Sequence, residues 1–424
     1  MIGEEFLWSA QSARIEGQVQ RILASVRKYL GMDVGFVSEL RDGQRLIRFV
    51  DSEPEIPIQA GRSDPLEQSY CHYVVRGLLP LVVRDAKDHP IASAMRVTHE
   101  LPVGAHISVP IRLLSGSIYG TFCFFSRQPN HDLAEKELEI VRVCADVVSG
   151  LIEEALSFGN ELREKRQRIE RVIEDRNLTV VYQPIYRLAD NRLMSFEALA
   201  RIPVEPIRSP DIWFNEAIEV ECGPAFELMA VEEALRGLAA LPNQASLSLN
   251  LSPDAIFSDD FEKLFDELPC ERLIIELTEH EPVSDYDALR NRLARYRSVG
   301  LRLAIDDVGA GYASFRHILD LSPDLIKLDT GLTRNIDSDI ARRTLARAIT
   351  MFGRKMGCEV VAEGVETVQQ LEALRAIGAT KVQGYLIGRP MALSDATQLP
   401  ARLECRKLPF NVRESAIALG AISG

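Results

Sequence analysis

Along residues 177–403, short aliphatic or β-branched runs alternate with stretches whose apolar side chains recur every three or four positions, a pattern that predicts strands punctuated by helices. The expected strands are Leu178–Gln183, Leu193–Leu199, Ser246–Leu251, Leu273–Thr278, Leu301–Asp306, Leu325–Asp329, Glu359–Glu363 and Lys381–Leu386. Helical spacing fills most of the gaps, over Trp213–Leu241, Asp260–Leu268, Asp285–Val299, Ser314–Leu319, Ser338–Met356 and Thr367–Ile377. Such an alternation is the sequence form of an α/β fold, a (β/α)8 TIM-type barrel. Ahead of it the period changes. Ile15, Val19, Ile22, Leu23, Val26 and Leu30 predict one amphipathic helix. Val34–Leu40, Leu46–Val50, Leu79–Val83, His106–Leu113 and Ile118–Phe125 read as strands, with Asp42-Gly43 and Ser115-Gly116 as turns. The organisation expected is an α+β domain at 1–155, a helical linker at 156–176, the barrel at 177–403 and a tail at 404–424.

Between the two halves, Leu138, Val141, Ala145, Val148 and Ile152 step by three and four along a helix. Two readings of that stripe stand side by side: packing on its own domain, or a seam holding two chains as a homodimer. Gly150 and Gly159 allow either a bent connector or a single rod, and the charged run 161–171 is expected to face solvent. The first domain resembles the GAF sensory family through Ser69-Tyr70-Cys71, Gly77 with Pro80-Leu81-Val82-Val83 and Asp85-Ala86, and Gly104 to Ile111 followed by Gly120-Thr121-Phe122. The resemblance implies a regulatory domain that can take a cyclic nucleotide, a tetrapyrrole, another small molecule or no known ligand, and no motif selects among these. Cys71-His72 reads as ordinary core or rim residues.

Composition narrows the partners. The chain has 424 residues, 46% hydrophobic and 26% charged, with a net charge of −13, an ordinary globular balance without a basic platform. A nucleic-acid polymer is therefore not an expected partner, whereas a small anion is acceptable if metal supplies positive charge. Seven cysteines are scattered without a Cys-x-x-Cys pair, so neither structural zinc nor a disulfide framework is expected. The N-terminus lacks a leader pattern and no apolar run reaches a bilayer span, which places the expected protein in the cytoplasm, away from the membrane.

In a barrel of this kind the chemistry gathers at the C-terminal strand ends. The last polar residues of the expected strands are Glu197, Asn250, Glu276, the pair Asp306-Asp307, Lys327, Glu363 and Gln383. So many carboxylates converging on one rim would repel one another without cations, and hard oxygen ligands suit Mg2+ or Mn2+. A different reading makes Lys327 the Schiff-base lysine of an aldolase-like barrel, but an ammonium crowded by carboxylates is a poor nucleophile.

The run Tyr182-Gln183-Pro184-Ile185 … Glu197-Ala198-Leu199-Ala200-Arg201 resembles the motif after which the EAL domain phosphodiesterases are named. Asn250-Leu251-Ser252, Glu276-Leu277-Thr278-Glu279, Asp306-Asp307 with Gly309, Gly311 and Tyr312, Ile326-Lys327-Leu328-Asp329, Ala362-Glu363-Gly364-Val365-Glu366 and Gln383-Gly384-Tyr385 follow in family order. The resemblance implies hydrolysis of cyclic di-GMP to linear pGpG by two divalent cations, on a barrel with one reversed strand; the alternative is a catalytically silent cyclic di-GMP receptor. It implies metal ligands Glu197, Asn250, Glu276, Asp306, Asp307 and Glu363, with Asp307, Glu363 and Lys327 in catalysis. Arg201 and Gln383 would contact substrate, and Glu279 and Glu366 would support the loop after Asp307. Two positions depart from the family: Val308 replaces the usual Phe, so that restoring Phe is expected to keep or raise activity, and Val220-Glu221-Cys222-Gly223 replaces Glu-Thr-Gly-Leu-Ile.

Overall fold

Asp42 and Gly43 both adopt left-handed backbone conformations, φ 52° and 74°. This is the geometry that a two-residue hairpin needs to match the twist of its strands. In the computed structural model of the chain, which describes residues 10–266, 268–278, 283–309 and 313–403, that turn joins β1 (Val34–Arg41) to β2 (Gln44–Ser52). The sheet is completed by β3 (Ser63–Pro65), β4 (Val82–Val83), β5 (Ala105–Arg112) and β6 (Ile118–Ser126), in the order β3-β2-β1-β6-β5-β4 and antiparallel throughout. Alternation along β6 divides the core of this first unit, residues 1–163. Phe122 and Phe124 face two long helices, Ala10–Leu30 and Glu135–Glu174, while Cys123 and Phe125 face the short helix Tyr70–Val75 and the loops around it. Gly120 lets β6 approach β1, since a Cβ there would stand 1.6 Å from the Ser38 carbonyl oxygen.

The stripe Leu138, Val141, Ala145, Val148 and Ile152 is buried against Ile15, Val19, Leu23, Ile107 and Phe122 of its own chain. It is therefore occupied, and the dimer seam expected on those residues is corrected: a second chain would have to use others. The helix that carries the stripe is unbroken from Glu135 to Glu174, passing both Gly150 and Gly159. Nor is the charged run beyond it simply solvated. Ile169 is buried, and Lys165 and Arg168 pair with Glu219 and Glu216 at 2.9 and 3.1 Å.

The second unit, 164–424, is a closed barrel. Its strands are β7 (Thr179–Arg187), β8 (Leu193–Arg201), β9 (Ser246–Asn250), β10 (Leu273–Thr278), β11 (Arg302–Val308), β12 (Leu325–Leu328), β13 (Glu359–Ala362) and β14 (Lys381–Val382). Seven run parallel, and β7 is antiparallel to both neighbours, β8 and β14. Ile185, Ile274, Ala304, Leu325 and Val361 fill the barrel interior as one buried cluster. Outward-facing Leu247, Leu249, Ile275, Leu277, Leu303, Ile305, Ile326 and Val360 form the main core with the surrounding helices. Among the described residues no helix is long and apolar enough to cross a membrane.

Three expected elements differ. The helix expected over Trp213–Leu241 is two, Pro210–Glu219 and Gly223–Arg236, because Glu221 turns left-handed (φ 61°) before Gly223-Pro224 restarts the helix. The first barrel strand continues four residues past Gln183, through Pro184, a residue that reads as a strand terminator. The last strand is much shorter than Lys381–Leu386: Gly384 (φ 155°) packs so closely on Val365 that a Cβ would meet its backbone nitrogen at 2.2 Å. Val308 is fully buried in the main core and pairs in register with Leu328. Val308→Phe is expected to overpack that position and cost about 1–3 kcal/mol in urea unfolding, a stability effect separate from the expectation that Phe keeps or raises activity.

Candidate active site

One layer of barrel interior lies directly beneath the chemistry. Ile274, Ala304, Leu325 and Val361 each precede by two positions the residues Glu276, Asp306, Lys327 and Glu363, so strand alternation points all four into the same mouth. On the reversed strand the order inverts: Gln183 comes two positions before Ile185 and faces the same mouth, paired in register with Glu197. Lys327 sits at the centre, 1% exposed. Its Nζ lies 2.6 Å from Glu276, 2.7 Å from Glu363, 2.9 Å from Asp306 and 3.5 Å from Glu197. Glu197 is held from two further sides, accepting from Gln383 Nε2 at 2.5 Å and from Asn250 Nδ2 at 3.2 Å. Gln383 also donates to Gln183 Oε1 at 3.0 Å.

One ammonium cannot hold four buried carboxylates ionised. Burial pushes Glu276 up to about 8 even beside Lys327, with Glu197 and Asp306 adding repulsion. Burial likewise raises Glu363 well above the usual range, although Lys327 opposes the shift. For Glu197, burial is outweighed by Lys327, Gln383 and Asn250, and its carboxyl is lowered. Burial alone would lower Lys327; the surrounding carboxylates, Asp306 first, override that and keep it protonated well above its ordinary range. The aldolase-like reading, which needs a neutral amine, finds no support in this geometry.

The donor set fits divalent cations. Glu197, Glu276 and Asp306 offer oxygens all within 4.8 Å of one another; so do Asp306, Asp307 and Glu363, with Asp306 common to both groups. Glu363 Oε1 is buried and, although 2.7 Å from Lys327, makes no hydrogen bond of acceptable geometry. An acceptor oxygen left in that condition is costly unless a cation occupies its open side. Asp307 takes a left-handed conformation (φ 56°) and donates its amide to Asp306 Oδ1 at 2.8 Å, which brings the second carboxylate round to this rim.

Beside the rim lies a cleft of about 760 Å3 whose lining includes Arg201, Phe214, Leu249, Asn250 and Asp307. A smaller recess of about 290 Å3 is lined by Gln183, Glu197, Glu363, Glu366 and Gln383. The structure thus gathers Glu197, Asn250, Glu276, Asp306, Asp307, Lys327, Glu363 and Gln383, with Arg201 and Glu366 bordering them. Glu279, Gly311 and Tyr312 lie outside the described residues.

Two residues escaped the sequence reading. Gln183 stands in a quoted motif, but its side was assignable only once β7 was known to run backwards. Glu227, on helix Gly223–Arg236, is buried in the cleft wall and accepts the Ser252 amide at 2.7 Å; burial pushes its carboxyl up. A carboxylate on the apolar stripe with Val231 and Ala234 was the available signal. Ser252 caps the helix that follows Asn250. Glu227→Ala therefore leaves a half-buried amide without its acceptor and is expected to cost about 1 kcal/mol in urea unfolding.

A profile of the EAL domain matches residues 166–390, and one of the GAF domain matches 14–152. The chain is 32% identical over 223 residues to the probable cyclic di-GMP phosphodiesterase PdeD of Escherichia coli (strain K12), covering 50% of this chain and 41% of that protein. It is 29% identical over 253 residues to the cyclic di-GMP phosphodiesterase PdeB of Shewanella oneidensis, covering 56% and 29% respectively. The chain spans less than half the length of these curated relatives. A solved structure described as the PaMucR phosphodiesterase in complex with c-di-GMP matches with a TM-score of 0.50 at 27% identity, covering 55% of this chain and 99% of that one. With a profile match over more than half its length and a barrel whose ordered motifs meet at one rim, the chain belongs to the EAL domain family.

Proposed function

We propose that the barrel hydrolyses cyclic di-GMP to linear pGpG with two divalent cations, Mg2+ or Mn2+, and that the N-terminal GAF domain regulates it. The observation that carries this reading is the pair of carboxylate groups sharing Asp306, set at the edge of a cleft large enough for a dinucleotide. Glu197, Asn250, Glu276 and Asp306 would hold one cation, and Asp306, Asp307 and Glu363 the other. Bound there, the cations would supply Lewis acidity and offset the charge of the entering phosphodiester. Lys327 Nζ keeps its proton and acts as a donor that orients the reacting phosphate or its attacking water. Gln383 holds Glu197 in place and is itself positioned by Gln183 on the reversed strand. Arg201, on the cleft wall, has the charge and planar donors to grip a substrate phosphate.

The test is incubation of the full chain with Mn2+ or Mg2+ and cyclic di-GMP, followed by chromatography for pGpG. Product that forms with metal and disappears on chelation is the expected result. Tight binding without product in either metal would replace this reading with the silent receptor, and neither binding nor product would remove cyclic di-GMP altogether.

A further inference from the structure

On the face of the N-terminal sheet away from the two long helices, two cysteines from distant parts of the chain meet. Cys71, on helix Tyr70–Val75, and Cys123, within β6, are both fully buried, and their sulfurs are 3.7 Å apart. Their surroundings are polar in a way that packing does not require. The Ser38 hydroxyl lies 3.7 Å from the Cys71 sulfur and shares a 2.7 Å hydrogen bond with the Thr121 hydroxyl. The Ser108 hydroxyl is 2.9 Å from the Cys123 sulfur, and the Cys123 thiol donates to Thr121 at 3.0 Å. Arg45, itself buried and paired with Asp64 at 2.6 Å, places a positive charge whose field acts on Cys71. A structural buried cysteine behaves as a small hydrophobe and is satisfied by apolar neighbours. Hydroxyls and a cation suit a thiolate.

The two sulfurs are also differentiated. The contact with the Cys123 sulfur, with the Arg45 charge and the Thr121 and Ser38 hydroxyls, outweighs burial and lowers Cys71 to about 5. Burial and the neighbouring Cys71 push Cys123 well up. One sulfur is thus prepared to attack and the other to keep its proton until needed. Arg45 also lines a cavity of about 30 Å3 with His106, with Tyr70, the chain neighbour of Cys71, and with Phe125 of β6, but the two sulfurs themselves do not line it. A space of that size admits roughly two water molecules, and so a molecule as small as hydrogen peroxide.

We propose that Cys71 and Cys123 form a peroxide-oxidised dithiol–disulfide couple within the N-terminal domain. The Cys71 sulfur attacks one peroxide oxygen; the O–O bond breaks, hydroxide leaves, and Cys71 becomes a sulfenic acid. The Cys123 sulfur then attacks the Cys71 sulfur, the S–O bond breaks, and the departing oxygen leaves as water with the Cys123 proton. The hydroxide takes up the proton that Cys71 had released, so two thiols are oxidised while one peroxide is reduced to two waters. Closing to the covalent distance of about 2.05 Å draws the Tyr70–Val75 helix and β6 together at that point.

The experiment is peptide mapping of the reduced full chain after equimolar hydrogen peroxide, with free thiols blocked and no reductant present. A linked pair of Cys71 and Cys123 peptides, two hydrogens lighter than the separate thiols and separated again by dithiothreitol, is the expected result. Exposure alone would favour the half-buried Cys144 and Cys222 instead, so oxidation confined to those two would overturn the proposal. In the near-isosteric Cys123→Ser chain, Cys71 should carry a sulfenic acid that dimedone captures, while Cys71→Ser should leave Cys123 unlabelled. Dimedone on Cys123 in the second variant, or none on Cys71 in the first, would equally reject the assignment.

Discussion

Replacing Asp306 with asparagine is expected to cut pGpG formation by about 10^3-fold or more, with little change in the fold. The size follows from its position. Asp306 is the one carboxylate common to both ligand groups, and it also contacts Lys327 at 2.9 Å. Asparagine keeps the shape and one carbonyl oxygen but loses the charge and one lone-pair-rich oxygen, weakening both cation positions together. Glu276→Gln, which touches only one of the two groups, should leave more residual rate. Paired assays over a wide Mn2+ range check this: Asp306→Asn should stay slow at saturating metal. Recovery to the wild-type rate there would confine the residue's role to metal affinity and remove it from the chemical step.

Lys327→Met should abolish most turnover, by about 10^2–10^3-fold, and should also expose how the metal-free protein balances its charge. In the absence of cations this ammonium is the group that four carboxylates share, and removing one partner of a buried ionic cluster costs about 3–5 kcal/mol. The direction with pH can be fixed in advance. Glu276 titrates at about 8 when folded, against about 4.5 for an ordinary glutamate, so between those values the folded metal-free chain retains a proton that the unfolded chain has released. Metal-free stability therefore falls as pH rises through that window and levels off above it. Removing Lys327 leaves less to oppose carboxylate repulsion, so the deficit of the variant should be larger at pH 8 than at pH 5.5. Urea midpoints of chelator-treated protein at the two pH values measure it, and added Mn2+ should narrow the gap. A deficit that is greatest at acid pH would contradict the charge balance inferred here.

Much of the site was legible because strand alternation and the strand-end rule act locally. Once Leu303 and Ile305 are taken as core, Ala304 and Asp306 must face inward, and the same holds for Ser248 with Asn250. What local pattern could not supply was direction. Nothing in Tyr182 to Arg187 says that β7 runs against its neighbours, because antiparallel and parallel strands share the same side-chain period. Gln183 was consequently read as a strand end rather than as a partner of Glu197. The stripe on helix Glu135–Glu174 was ambiguous for a related reason. Spacing reveals that Val141 and Val148 need a cover, but not whether the cover is Ile15 and Val19 of the same chain or a second copy. The Cys71–Cys123 pair was invisible for want of any short-range spacing. Their meeting depends on a helix folding across a sheet.

The closure of the barrel has a bearing on how its site opens. The ring is sealed by its shortest strand, β14, through two residue pairs to β13 and two to β7. Immediately beyond it, Gln383 carries the amide that ties Glu197 to Gln183. Backbone bonds from Thr380 to Val360 and from Gln383 to Ala362, both 2.9 Å, extend the ladder with β13 by one residue at each end. It still stays shorter than that of β10 with β11, so the seam is expected to open locally at lower cost, as a clasp. Its amides should exchange hydrogen for deuterium through brief partial unfastening while those of β11 wait for global unfolding. Each such event would release Glu197 from one of its holders without disturbing Glu276 or Lys327. Anything that binds Glu197 and its neighbours therefore also fastens the clasp, and slower exchange at Val382 and Gln383 would register occupancy of the site even when no turnover follows.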